Sequence, residues 1–95
     1  MRRKAIADGL TALGHLTRLS LCATLAKAGD EGLLGHELAR MTKTSPTLTS
    51  HHLKILEHAG LVQKEQRGRT MVHRLDRKRM SRLTAALAKF ADASS

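Results

Sequence analysis

The chain has 95 residues and a formal net charge of +9, which for one small domain indicates a polyanionic partner, with nucleic acid as the first expectation. A single cysteine excludes an internal disulfide and any metal or redox site that needs paired thiols. The single aromatic residue excludes a surface on which the bases of single-stranded DNA or RNA could stack. The lack of a long apolar run excludes a membrane span. We therefore expect a cytoplasmic protein that binds double-stranded DNA without cofactors.

Two helices are predicted at the start of the chain. Ile6 and Leu10 fall on one face of the first helix, which ends at Gly14. Thr17 is a suitable N-cap for the second helix, and the glycine-rich residues 28–32 end it. The apolar residues of the second helix cover most of its circumference, as in a buried central helix, and are Leu19, Leu21, Cys22, Ala23, Leu25 and Ala26.

The next two helices are predicted to form a helix-turn-helix. A short helix spans Gly35–Met41, and the helix after it spans Pro46–His58 with Ser45 as its N-cap. One face of this fourth helix combines hydrogen-bonding groups with one positive charge, at Thr47, Ser50, His51 and Lys54. Its apolar side consists of Leu48, Leu53, Ile55 and Leu56. Because such polar groups read base edges and contact phosphates in the major groove, this face and Ser45 are predicted to bind DNA.

A basic hairpin and a last helix complete the predicted elements. The two strands of the hairpin are predicted at residues 61–66 and Thr70–Leu75. Arg67 and Arg69 flank a glycine at the tip, where guanidinium groups can reach phosphates or a narrow minor groove. The last helix begins near Asp76, a good N-cap. It carries apolar residues at steps of three and four that need a partner helix, namely Met80, Leu83, Leu87 and Phe90.

The order of these elements predicts a winged helix-turn-helix, mainly α with a β-hairpin wing, with about five helices and two strands in a single DNA-binding domain over residues 1–95. The polar face of the fourth helix would by itself equally suit an ordinary solvated surface. However, residues 45–62 resemble the recognition helix and following strand of the ArsR/SmtB family of transcriptional repressors. The resemblance continues at residues 16–19, 35–39 and 67–69.

The resemblance implies a homodimeric repressor that binds an inverted-repeat operator in double-stranded DNA. The first and last helices would form the dimer interface, through Ile6, Leu10, Met80, Leu83, Leu87 and Phe90. The fourth helix would enter the major groove with His51 towards the DNA and His52 towards the domain interior, and the hairpin tips would lie on the DNA backbone. The sequence departs from the family pattern at Thr49, where a buried aliphatic residue is usual, and at Lys43, where a turn glycine is common.

The sensor sites known in the family are incomplete in this sequence. The chain is similar to an arsenic-responsive subgroup with vicinal C-terminal cysteines, but Ser94 and Ser95 stand at its end, and hydroxyls cannot replace soft thiolates as arsenic ligands. The third helix has no cysteine pair and the last helix has no histidine, so no metal site is predicted. Cys22 resembles one thiol of the redox-responsive members, but without a second thiol we interpret it as an apolar filler, with redox sensing as the minor alternative. No effector is assigned.

The composition and the motifs also bear on two other classes of function. The net charge alone would equally support a non-specific architectural nucleoid DNA-binding protein, because phosphate attraction carries no sequence information. Such a protein would have no preferred operator. An enzyme is not expected, since the sequence has no glycine-rich phosphate loop, no thiol–histidine motif and no HExxH metal helix.

Overall fold

The computed structural model describes residues 1–93, and this part of the chain forms five α-helices and a three-stranded antiparallel sheet. In chain order the elements are α1 (Arg3–Leu13), α2 (Leu16–Ala28), a 3₁₀ turn (Gly29–Glu31), β1 (Leu33–Leu34), α3 (Gly35–Met41), α4 (Pro46–His58), β2 (Val62–Arg67), β3 (Thr70–Leu75) and α5 (Arg77–Asp92). The predicted winged helix-turn-helix is confirmed. Ser94 and Ser95, on which the arsenic expectation depends, lie outside the described residues. None of the helices within residues 1–93 is long and apolar enough to cross a membrane.

Local capping chemistry determines where α4 and α5 begin. The Ser45 hydroxyl accepts a hydrogen bond from the Leu48 amide at 3.1 Å, and the Asp76 carboxylate accepts one from the Arg79 amide at 2.9 Å. Each bond satisfies an amide that the first turn of a helix would otherwise leave without a partner. Both helices therefore begin where their capping residues predicted.

The predicted cap of α2 is wrong. The N-cap is His15, whose Nδ1 accepts a hydrogen bond from the Thr17 amide at 3.1 Å, so Thr17 already lies inside the helix. His15 has an extended backbone, with φ −147° and ψ 131°, which brings its ring over the first turn. An imidazole nitrogen can thus take the place of the hydroxyl or carboxylate oxygen that usually caps a helix.

The sheet joins the hairpin to the start of α3. β3 is the central strand and pairs in antiparallel fashion with β1 on one side and β2 on the other. Arg67 lies opposite Thr70, so Gly68 and Arg69 form a two-residue turn, and Gly68 has the left-handed φ of +60° that such a turn requires. β1 was not predicted, because two residues show no alternation. Its pairing with β3 fixes the position of α3 relative to the wing, which we define as β2, β3 and their turn.

The core lies between α2, α3, α4 and one side of α5. Its fully buried aliphatic side chains are Leu21, Leu25, Leu38, Leu56, Leu61 and Leu83. The prediction that the apolar residues of α2 cover most of its circumference, as in a buried central helix, is wrong at two positions, because Leu19 is 50% exposed and Ala23 is also exposed. Leu48, predicted for the apolar side of α4, is 53% exposed, since its neighbour Thr49 takes the buried position instead.

Two of the six residues predicted for a dimer interface lie in the core of the protomer. Leu83 is 2% exposed and packs so closely on Gly9 that a Cβ at position 9 would come within 3.1 Å of its Cδ2 atom. Ile6 is 8% exposed. Neither residue leaves appreciable surface for a partner, because α1 and α5 of the same chain already cover each other there. The interface residues that keep accessible surface are Leu10, Met80, Leu87 and Phe90.

Candidate nucleic-acid interface

The turn between α3 and α4 orients the helix-turn-helix. The Thr42 hydroxyl donates to the Leu38 carbonyl at 2.6 Å, and the Thr44 amide donates to the Ala39 carbonyl at 3.0 Å. Lys43 lies between them with φ +54°, in the left-handed region that costs a non-glycine residue about 1–2 kcal/mol. The turn therefore has the geometry of a glycine position, and the exposed Lys43 adds a positive charge beside the start of α4.

The exposed face of α4 brings the predicted base-reading residues together. Four of them are exposed and line one open depression together with Pro46, and these are Thr47, Ser50, His51 and Lys54. Ser45 is exposed as well, but its hydroxyl oxygen is occupied as the cap of the helix. Three hydrogen-bonding side chains and one cation thus lie side by side on a helix surface that the rest of the protomer leaves open.

The two adjacent histidines of α4 have different surroundings. His51 is exposed, whereas His52 is only 7% exposed, as the resemblance implied. Arg18 donates a hydrogen bond from Nη1 to His52 Nδ1 at 3.1 Å, and the ring of His15 lies 4.6 Å from that of His52. Burial first, and then the positive potential of His15, Arg18 and His51, hold the pKa of His52 below its usual value. His52 is therefore neutral at pH 7 and belongs to the packing of the helix.

The two wing arginines differ in how far their charges are already neutralised. Glu65 binds Arg74 closely and lies 3.3 Å from Arg67 Nη2, and these two hydrogen bonds hold the pKa of Glu65 below its usual value. Arg69 is exposed at the turn and takes part in none of the ion pairs formed within residues 1–93. Arg69 is thus the freer cation at the tip. No pattern in the sequence indicated this role of Glu65.

A cleft of about 390 Å³ separates α4 from the wing. Glu57 lines it, 3.6 Å from Lys64 Nζ and 3.7 Å from His73 Nδ1, and Lys54 and His36 line it as well. Burial lowers the pKa of His73, and the opposing effect of Glu57 is smaller. No pattern in the sequence indicated that Glu57, Lys64 and His73 lie together. The two-residue turn was the available signal, because it sets the strand register and thereby places Lys64 opposite His73.

Cys22 has the surroundings of a structural cysteine. It is 7% exposed, and burial raises the pKa of its thiol to about 11. A thiol with such a pKa is protonated at neutral pH, while the thiolate is the form that reacts with oxidants and binds metals. Within residues 1–93, no three histidine, cysteine or acidic side chains lie close enough together to hold a metal ion.

The sequence matches one family model. Residues 33–64, which contain β1, α3, α4 and the start of β2, match the model of the bacterial regulatory protein arsR family. A search of the curated proteins gave no significant match.

Solved structures resemble the whole fold. One, described as a possible transcriptional regulator for arsenical resistance, is 31% identical over 87% of this chain and 83% of its own, with a TM-score of 0.76. The homodimeric winged helix-turn-helix DNA-binding domain of a Mycobacterium bovis protein is 27% identical over 94% of this chain and 80% of its own, with a TM-score of 0.76. The transcriptional repressor BigR from Xylella fastidiosa is 26% identical over 94% of this chain and 89% of its own, with a TM-score of 0.69.

Proposed function

Since the chain belongs to the ArsR family of DNA-binding transcriptional regulators, which are not enzymes, we propose that it is a homodimeric repressor of a specific operator in double-stranded DNA. The main support is the open polar face of α4, where base-reading groups and a cation lie next to a basic wing. The whole chain, residues 1–95, would act as one DNA-binding domain with a dimer contact through its terminal helices.

Each part of the interface has a separate role in this proposal. Thr47, Ser50 and His51 hydrogen-bond to base edges in the major groove, because their side chains are short and exposed on one face of the helix. Lys54 and Ser45 contact the flanking phosphates. Arg67 and Arg69 place the wing on the neighbouring backbone or in the minor groove.

Dimerisation would set the spacing of the operator. The M. bovis domain is described as homodimeric, and the outer faces of α1 and α5 in this chain expose Leu10 and Phe90. A twofold axis between these helices would present two copies of α4 to successive major grooves. The operator would then be an inverted repeat.

Selection of bound sequences from random duplexes tests this function. We expect enrichment of an inverted repeat whose half-sites are centred about 10 base pairs apart, or a multiple of that distance. Ser50→Ala and His51→Ala variants should change the enriched bases, whereas Lys89→Ala, an exposed cation on α5, should not. Recovery of no enriched sequence would favour the architectural nucleoid protein instead.

Repression is tested separately from binding. A promoter that carries the selected repeat over its start site should lose transcription in vitro when the protein is added, because the bound dimer blocks polymerase. A scrambled repeat of the same length is the control. Increased transcription from the intact repeat would identify an activator and contradict this part of the proposal.

A further inference from the structure

One guanidinium group connects three helices behind the DNA-binding face. Arg18, on α2, donates from Nε to the Ala12 carbonyl at 2.6 Å and from Nη2 to the Thr11 carbonyl at 3.5 Å, both in the last turn of α1. Its Nη1 donates to His52 Nδ1, on α4, at 3.1 Å. The carbonyls at a helix C-terminus carry partial negative charge, so a cation is stabilised there. Arg18 therefore ties the end of α1 to the middle of α4.

The contact with His52 is specific for one protonation state. Arginine has donors only and keeps its charge at every relevant pH, so His52 Nδ1 has to offer its lone pair and the ring proton sits on Nε2. The groups facing His52 are Arg18 from α2, His15 from the connection before α2, and His51 from α4 itself. None of these groups is acidic, so a proton added to His52 meets only repulsion.

The position of this contact gives it a consequence for DNA recognition. His52 directly follows His51, and its own side chain is 7% exposed beneath the face that His51 and Ser50 present. The buried leucines Leu53 and Leu56 also hold α4 on the core, but apolar packing is not directional, so loss of the directional bond from Arg18 leaves the helix freer to change its depth and rotation. A shift of α4 by as little as about 1 Å relative to the base edges weakens contacts that depend on directional hydrogen bonds.

We propose that Arg18 is a positioning residue for DNA recognition, which holds α4 in its base-reading orientation through neutral His52 and releases it when His52 takes up a proton. The proposal rests on the proposed function, since it concerns the face that would read the operator. Because Arg18 also binds the end of α1, it would connect the helix expected at the dimer interface with the helix expected in the groove.

Operator affinity measured against pH tests the proposal. His52→Asn keeps an acceptor close to the position of Nδ1 but cannot titrate, so it should bind like the wild type at about pH 8. Between about pH 8 and pH 5.5 the wild type should lose roughly tenfold in affinity relative to His52→Asn, the size of a typical coupling between sites. His58→Asn, which removes an exposed histidine of the same helix, should keep the wild-type profile. Parallel profiles for the wild type and His52→Asn would overturn the proposal.

The Arg18→Lys variant separates positioning from charge. Lysine keeps the positive charge but cannot donate in three directions from a planar group, so operator affinity should fall roughly tenfold at about pH 8. Binding to random duplex at low salt should not change. An operator affinity equal to that of the wild type would show that Arg18 does not position α4.

A readout without DNA keeps this proposal distinct from the proposed function. Nitrogen-15 NMR of the free protein at about pH 8 should show His52 as the Nε2–H tautomer, and Arg18→Lys should alter its Nδ1 signal. A proton on Nδ1 would overturn the link even if an operator is found. If the tautomer is as expected but selection enriches no sequence, the proposed function fails and the structural link stands.

Discussion

Thr49 is a buried polar residue. It is 1% exposed, and its Oγ1 atom has no hydrogen-bond partner within residues 1–93. Leaving a buried hydroxyl unpaired costs about 1–3 kcal/mol, whereas a methyl group of nearly the same size costs nothing of that kind. Thr49→Val should therefore increase the free energy of unfolding by about 1 kcal/mol in urea denaturation.

Thr42→Val is the matched control for that substitution. The Thr42 hydroxyl donates to the Leu38 carbonyl at 2.6 Å, so its removal should leave stability unchanged or lower. A Thr49→Val protein that is less stable than the wild type would mean that the Thr49 hydroxyl has a partner in solution.

Two buried histidines give stability a defined pH dependence. Burial lowers the pKa of His52 and of His73 from the ordinary value of 6.5. In the unfolded chain both side chains have this ordinary pKa again. As pH falls below 6.5, the unfolded chain takes up these protons first, so the free energy of unfolding decreases until pH passes the folded-state pKa values. Above about pH 7 the contribution is fully present. Thermal melts across this range should show a midpoint that drops on acidification.

The variants for that measurement replace either the two buried histidines or an exposed one. A His52→Asn, His73→Asn double variant should show a flatter profile between about pH 7 and pH 5, because neither position titrates. His58→Asn, at an exposed site, should keep the slope of the wild type. Equal slopes in all three proteins would assign the acid sensitivity to other groups.

Among the secondary-structure elements, the sequence predicted helix bounds that depend on residues close to the helix ends. The bounds of α3 and α4 were predicted as observed, because Ser45, Pro46 and the turn before them act within a few residues of the helix ends. β1 was missed because its partner strand lies about 40 residues further along the chain. The exposure of Leu19 and the burial of Leu83 were also missed, since both depend on which side of a helix its neighbours cover.

The candidate site was likewise predictable only in the part that depends on a single helix. The exposed face of α4 follows from helical periodicity, so its four polar residues could be named from the sequence and do lie together. The links from Arg18 to His52 and from Glu57 to His73 join residues far apart in the chain. Periodicity within one element contains no information about such contacts.

The wing arginines should contribute unequally to DNA binding. Arg67 shares its charge with Glu65, whereas Arg69 has no ion-pair partner within residues 1–93. Each phosphate contact contributes about −0.9 to the slope of log affinity against log salt. We expect Arg69→Gln to reduce the magnitude of that slope by about one unit per protomer, and Arg67→Gln by less. The measurement is operator binding at several salt concentrations.

Glu65→Gln provides the complementary variant for the wing. Removal of the carboxylate frees Arg67, so affinity for DNA should rise and the salt dependence should steepen. The effect should be smaller when Glu65→Gln is combined with Arg67→Gln, because only Arg74 then remains to be freed. Equal salt slopes for the two single arginine variants would contradict the difference in neutralisation.

For the whole molecule, shape and surface both favour a partner subunit. The radius of gyration is 14.1 Å, compared with about 12 Å expected for a compact chain of this length. The accessible surface is 6504 Å², compared with about 5400 Å² for a monomeric protein of 10.4 kDa. The excess is on the order of 1,000 Å², similar to the area that one subunit buries in a stable interface. Leu10 and Phe90 are among the exposed large apolar side chains, with Leu16 and Leu19 as further exposed leucines.

Phe90 and Leu83 distinguish association from folding in the proposed dimer. Phe90 is 62% exposed in the protomer, so Phe90→Asp should give a folded monomer in sedimentation velocity, with an unchanged helical circular-dichroism spectrum at low temperature. Leu83 is 2% exposed against Gly9, so Leu83→Asp should unfold the protomer, because a carboxylate would be buried without a partner. Met41→Asp, 54% exposed on α3, should remain dimeric. A monomeric wild type at micromolar concentration, or a Phe90→Asp protein that stays dimeric, would exclude this face of α5 as the interface.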